Sequence, residues 1–339
     1  MSQEIRQLAP AEIWSHFADL NAVPRASKKE ERVIQFIKDF GQKLGLETFE
    51  DEIRNVIIRK PATSGMENRK TIVLQSHLDM VHQKNNDTVF DFDTEGIKMV
   101  VDGDWVRAMG TTLGADNGIG VATIMAILAS KDIAHPAIDA LFTIDEETGM
   151  TGALGLKGGV LKGEILLNLD TENDNEIDIG CAGGIDVTAN GSYSEVACPA
   201  GVKGYRLTVR GLNGGHSGMD IHKGLGNANK IMNRILFSLS ETIGLHIGEI
   251  NGGSLRNAIP RESVAVVAVS AGDEGKWMSG FDQLKKDITF EFKTTEPGLQ
   301  IVAEECPAPS KVLSVADGKK LLRMIYAAHN GVYRMSADI

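Results

Sequence analysis

Val33, Phe36, Ile37, Phe40 and Leu44 recur at helical spacing, with Lys and Glu on the opposite side. That pattern predicts a helix over 28–44, and residues 10–21 predict another, with Pro24 breaking the chain between them. Short apolar runs at 56–58 and 72–74 predict strands separated by the polar turn 64–68. Residues 90–107 alternate like a hairpin around Asp102-Gly103. A helical pattern over 117–130 follows, then strands near 139–145 and 165–170, with a glycine-rich stretch and a short helix between. Strands alternating with helices predict an α/β domain whose central sheet, mixed in strand direction, is flanked by helices. Beyond about residue 186 the texture changes. Strands are predicted at 185–190, 205–209, 264–269 and 288–292, with helices at 225–243 and 274–287. This β-β-α-β-α-β order predicts a smaller α+β domain. The division is therefore 1–186 and 187–339.

A chain of 339 residues suits about two domains, and 42% hydrophobic content is enough for a sizeable core. The net charge of −11 and the lack of a long basic stretch speak against a nucleic-acid partner. The best apolar run, 119–128, is broken by Gly120 and Thr123 and is too short for a membrane span. Cys181, Cys198 and Cys306 are widely spaced and odd in number, forming neither a zinc motif nor a disulfide framework. A polar N-terminus and this cysteine usage predict a cytoplasmic setting. Cys181-Ala182-Gly183-Gly184 has the composition of a hinge.

Candidate chemistry sits where strands should end. His77-Leu78-Asp79 closes one apolar run, Glu146-Glu147 follow a second, and Asp170 closes a third; Asp116, in Gly114-Ala115-Asp116-Asn117-Gly118, precedes a helical pattern. Each has an ordinary explanation alone. His77 could be a structural hydrogen-bonder, Asp116 a helix N-cap, Glu146-Glu147 a solvated turn, and Asp170 a turn cap. Capping does not explain all of them in this order. One imidazole with several carboxylates is a donor set for two divalent ions of the zinc type, and adjacent carboxylates need a neutralising partner. Asp79, two residues beyond His77, is placed to hold the imidazole tautomer. In the second domain, Gly214-Gly215-His216-Ser217-Gly218 is either a tight glycine turn or a loop presenting an imidazole to a substrate. His16, His82, His135, His222, His246 and His329 have no matching carboxylates and are read as structural or surface residues.

The segment Val23-Pro24-Arg25-Ala26-Ser27 with Glu30, then SHLDMV, TTLGADNGIG, DEETGMTGA, NLDTE and GGHSG, resembles the zinc metallopeptidase family of carnosinases, peptidase T and acetylornithine deacetylase. The similarity spans essentially the whole chain and is closest to the bacterial cytosolic aminoacyl-histidine dipeptidases. The resemblance implies a zinc-peptidase catalytic domain with a lid, and dimerisation through that lid. It implies two Zn2+ per site, replaceable by Co2+ or Mn2+. His77, Asp116 and Asp170 would hold one ion, and Asp116 and Glu147 the other. Glu146 would be the general base, and Asp79 would orient His77. His216 would contact substrate from the lid, in dimeric members that of the partner subunit, and Asn257 would be a second lid contact. A cis peptide is implied at Asp116-Asn117. The substrates implied are unblocked dipeptides of the Xaa-His or Cys-Gly type.

Members of this family complete the second metal site with a histidine near the C-terminus, and no histidine follows His329 here. The sequence alone therefore carries the expectation of a C-terminally truncated enzyme, with both domains incomplete. Two other functions stay open at this point. One is a non-catalytic remnant that binds metal weakly or only dimerises. The other is an N-acyl amino-acid deacetylase using the same metal chemistry.

Overall fold

A computed structural model describes all residues except Met1, Glu172, Asp174, Asp178, Ile179, Cys181, Ala182, Ser336, Asp338 and Ile339. The hinge reading at 181–184 falls on Cys181 and Ala182, outside the described residues. The chain divides into two compact units, Met1–Gly184 and Ile185–Ile339.

The first unit begins with helices α1 (Ser2–Ile5), α2 (Ala11–Asn21) and α3 (Glu31–Lys43), then strands β1 (Glu47–Glu50), β2 (Val56–Lys60) and β3 (Ile72–His77). A hairpin of β4 (Met99–Asp102) and β5 (Trp105–Ala108) leads to α4 (Ala115–Ala129). It is shorter than the alternation over 90–107 predicts. Then come β6 (Ile138–Thr143), the short helices α5 (Glu146–Gly149) and α6 (Thr151–Gly155), and β7 (Ile165–Asn168). The sheet order is β1-β2-β6-β3-β7. β1, β2 and β6 pair antiparallel, whereas β6, β3 and β7 run parallel. Helices α2, α3 and α4 bury Leu20, Val33, Ile37, Val121 and Ile124 against Val56, Ile58, Leu74, Ala140 and Phe142 of the sheet. On the other face, Ile57, Val73 and Leu141 are covered by Phe49, Leu156, Val160 and Leu161. The side chains of Gln75, Thr143 and Asn168 hydrogen-bond across the three parallel strands near their carboxyl ends.

The second unit contains β8 (Glu195–Ala197), β9 (Val202–Arg210), α7 (Ala228–Ser240), β10 (Leu245–Gly252), β11 (Ser263–Ser270), α8 (Glu274–Phe292), β12 (Gln300–Cys306), β13 (Lys311–Leu313) and α9 (Val315–Ala327). An antiparallel sheet of order β10-β11-β9-β12 packs Leu207, Val209, Ala265 and Val267 against Ile231, Ile235, Trp277 and Phe281 of α7 and α8. Asn227 caps α7 by accepting from the N–H groups of Asn229 and Lys230.

Two strand expectations fail here. Residues 185–190 form no strand, and β8 lies further on. Residues 288–292 belong to α8, because Trp277, Phe281 and Ile288 bury one helical stripe in the core, and that burial outweighs the local alternation of Ile288, Phe290 and Phe292. The core of the unit is therefore β-α-β-β-α-β rather than β-β-α-β-α-β.

Candidate metal centre

Because β3, β6 and β7 are parallel, their carboxyl ends lie along one edge of the sheet, where α/β folds collect their chemistry. β3 ends on His77, β6 runs out through Asp145 into Glu146 and Glu147, and β7 runs out into Asp170. Asp116 comes from the start of α4, which packs against β3. Gly120 permits that approach: a Cβ there would lie 2.5 Å from the Leu169 carbonyl oxygen and 2.1 Å from Asn117 Oδ1. Asp116 and Asn117 are not helical, and the peptide bond between them is cis, as the resemblance implied.

His77 Nε2 lies 3.0 Å from Asp116 Oδ1 and 3.8 Å from both Glu146 Oε2 and Asp170 Oδ1. His77, Asp116 and Asp170 place one ligand atom each within 4.8 Å of one another, and so do His77, Glu146 and Glu147. Asp116 and Glu147, expected to share an ion, do not fall in one such group. Asp79 sits beneath. Its Oδ1 is 3.2 Å from His77 Nδ1. Its two oxygens accept the backbone N–H groups of Glu146 (3.0 Å) and Glu147 (3.2 Å) and the Ser27 hydroxyl (2.8 Å). One buried carboxylate thus orients the imidazole and holds the turn that carries both glutamates.

The electrostatics show what the cluster lacks. Burial works against a charged His77, yet hydrogen bonds to Asp116 and Asp79 and the nearby Asp170 raise it to about 11. Burial opposes ionisation of Asp79, but His77 and the Glu146 N–H hold it below its ordinary value. Burial, then the Asp116 charge, pushes Glu147 up to about 8. Glu146 and Asp170 are likewise raised, by burial first and then by neighbouring carboxylates against the opposing pull of His77. Four carboxylates converging on one imidazole in a half-buried setting resist full ionisation without a cation. Divalent metal fits this donor set, which is imidazole and carboxylate throughout.

Sequence reasoning gave no role to Arg25, Ser27, Glu30 or Asp145. Asp145 takes a left-handed conformation (φ 50°) that turns the chain out of β6. The hydroxyls of Thr148 and Thr151 donate to its carboxylate. Its N–H donates to Glu30 Oε1 at 3.1 Å. Glu30, Asp79 and Asp145 form a second, fully buried carboxylate group under the first. Burial raises Glu30, and the N–H of Lys28 acts against that shift.

In the second unit the structure brings His216 and Asn257 together. His216 pairs with Ala258 in a β-bridge, and the Ser217 N–H donates to the Asn257 carbonyl at 2.8 Å. His216 Nδ1 accepts the N–H groups of Gly218 and Met219, each at 3.1 Å. Accepting at Nδ1 leaves the proton of the neutral ring on Nε2. His329 is exposed, with Nε2 3.1 Å from the Gly331 carbonyl oxygen.

Residues 201–296 match a family model described as the peptidase dimerisation domain of the M20 peptidases. Over 333 residues the chain is 44% identical to the cytosol non-specific dipeptidase of Escherichia coli (strain K12), covering 98% of this chain and 69% of that protein. The chain belongs to the M20 peptidase family. It is therefore related to enzymes that hydrolyse peptide bonds. The crystal structure of aminoacylhistidine dipeptidase from Vibrio alginolyticus matches with 44% identity and a TM-score of 0.55, over 100% of this chain and 70% of that one. The uncharacterized protein YqjE of Bacillus subtilis (strain 168) is 26% identical over 73% of this chain and 62% of its own length. Among the described residues, no helix is long and apolar enough to cross a membrane.

Proposed function

We propose that this chain is a cytoplasmic metallo-dipeptidase that hydrolyses unblocked dipeptides, of the Xaa-His or Cys-Gly type, with two Zn2+ per site. The observation that carries the reading is the convergence of His77, Asp116, Glu146, Glu147 and Asp170 at one sheet edge. The kinship with two dipeptidases supports the substrate class. His77, Asp116 and Asp170 would hold one ion, and Asp116 and Glu147 the other; Co2+ or Mn2+ would be able to replace zinc. When bound, the metal supplies Lewis-acid polarisation of a carbonyl and activates water at neutral pH.

The chain's own residues do the rest. Glu146 takes a proton from the attacking water as the water oxygen bonds to the scissile carbonyl carbon. The C–N bond then breaks, and the same proton passes to the departing amine. The partly buried position that raises Glu146 suits it to both halves of that transfer. Asp79 holds His77 in one orientation and fixes the turn bearing Glu146. His216, with Nε2–H free to donate, stabilises the oxygen that becomes negative. Asn257 lies beside it as a further substrate contact. We assign these two residues to the partner's site in a homodimer formed through the second unit, in keeping with the dimerisation-domain match.

The test is hydrolysis of free dipeptides beside their N-acetylated forms, with metal content measured in parallel. Turnover of the free dipeptides with two ions per chain is the expected result. Preference for the acetylated forms would move the reading to an N-acyl amino-acid deacetylase. One ion or none, without turnover, would refute it.

A further inference from the structure

We propose that Arg25 is a positioning residue of the metal centre, its guanidinium fixing the separation between the loop that follows His77 and the loop that leads into Asp116. The inference rests on the metal-centre reading above and adds a residue that touches neither metal nor substrate. Arg25 is only 2% exposed, and a buried cation is costly unless its donors are used. Its two terminal nitrogens bond the backbone of both loops, while the buried Nε–H has no hydrogen-bond partner among the described residues. Nη1 donates to the carbonyls of Leu78 (3.2 Å) and Asp79 (3.1 Å), directly after His77. Nη2 donates to the carbonyl of Gly114 (2.5 Å), two residues before Asp116, and to Asn21 Oδ1 (2.9 Å). The Asn21 amide in turn donates to the Leu113 carbonyl at 3.0 Å. The flat fork therefore spans from one loop to the other, and the 3.0 Å approach of His77 Nε2 to Asp116 Oδ1 is the distance it sets.

The fit around the fork is close. A Cβ at Gly114 would lie 2.5 Å from Nη2, and one at Gly118 would lie 2.7 Å from it. All three loop partners are carbonyl oxygens, not carboxylates. Arg25 is thus held as a spacer with a defined shape and not as a simple counter-ion. A residue that merely fills the core could be replaced by methionine. A residue needed only for its charge could be replaced by lysine. A spacer tolerates neither, because lysine has one nitrogen and cannot reach both loops.

The test uses the full chain, stripped of metal and titrated with Co2+, following its visible absorption bands. The variants are Arg25→Lys, Arg25→Met and, as a destabilising control buried on the opposite face of the sheet, Ile57→Val. We expect both Arg25 variants to bind Co2+ at least tenfold more weakly, about 1.4 kcal/mol, with shifted bands, and Ile57→Val to bind as wild type. A folded Arg25 variant with wild-type affinity and spectrum would overturn the inference. So would an equal loss of Co2+ affinity in Ile57→Val. If Arg25→Met does not fold, Arg25→Lys decides the matter. Failure of the wild-type chain to take up Co2+ refutes the metal centre itself, and this inference with it.

Discussion

A carboxylate that holds a metal and one that moves a proton respond differently when neutralised. Glu146→Gln keeps the turn, its N–H bond to Asp79 and the other donors, so metal content should stay at the wild-type level while kcat falls about 10²- to 10⁴-fold. Near-normal turnover in that variant would remove Glu146 from the mechanism. Asp116→Ala should lose both metals, since its side chain is assigned to both ions; two retained zincs would end its bridging role. The same cluster dictates a pH dependence. In the metal-free chain His77 is raised from 6.5 to about 11 and Glu147 from 4.5 to about 8, so the folded state holds more protons than the unfolded state. The Glu147 contribution to stability is lost from about pH 4.5 to 8 and the His77 contribution from about 6.5 to 11, so the apo protein should melt lower as pH rises from 6 to 8. Metal competes with those protons, so the rise in melting temperature on adding Co2+ should grow over the same range. A Co2+ effect that is flat with pH would contradict this account. His77, Asp79, Glu146 and Asp170 were legible because each closes an apolar run. Arg25 and Ser27 were not, because their partners beside His77 lie more than fifty residues away and no local pattern encodes them.

At the scale of elements, hydrophobic patterning located α2, α3, α4, β3 and β6, because each is buried in the core, and it located β7 from its apolar run although that strand is exposed. It missed β1, whose four residues are too few to show a pattern, and β10, where Gly248 marks a register shift that interrupts the alternation. It also took the end of α8 for a strand. The two readings of that segment differ in a way mutation can separate. On a strand, Ile288 and Phe290 would share a face and a burial; on the helix Ile288 is 0% exposed and Phe290 is 69% exposed. Ile288→Ala should therefore cost about 2–4 kcal/mol of stability and Phe290→Ala well under about 1 kcal/mol. Denaturant unfolding of the two variants measures both. Equal losses would return residues 288–292 to a strand.

For the whole molecule, the question is whether one chain supplies every group the reaction uses. The proposed metal ligands and Glu146 come from the first unit, whereas His216 and Asn257 come from the second. In the proposed dimer each site would be composite, with the ligands and base from one chain and His216 from its partner. His216→Ala should lower kcat while metal content stays at the wild-type level, because this residue lies outside the ligand cluster. The decisive measurement mixes His216→Ala protomers with Glu146→Gln protomers under conditions that allow subunit exchange. In a mixed dimer, one site pairs the intact Glu146 of the first chain with the intact His216 of the second. Its other site lacks both. Random exchange makes half the dimers mixed, so the mixture should recover about a quarter of wild-type activity from two nearly inactive parents. If His216 instead served its own chain, every site in a mixed dimer would lack one of the two groups, and mixing would restore nothing. Exchange must be verified independently, for instance by mass-tagging one protomer. An inactive mixture with tagged heterodimers present would then place His216 within its own chain or outside the reaction.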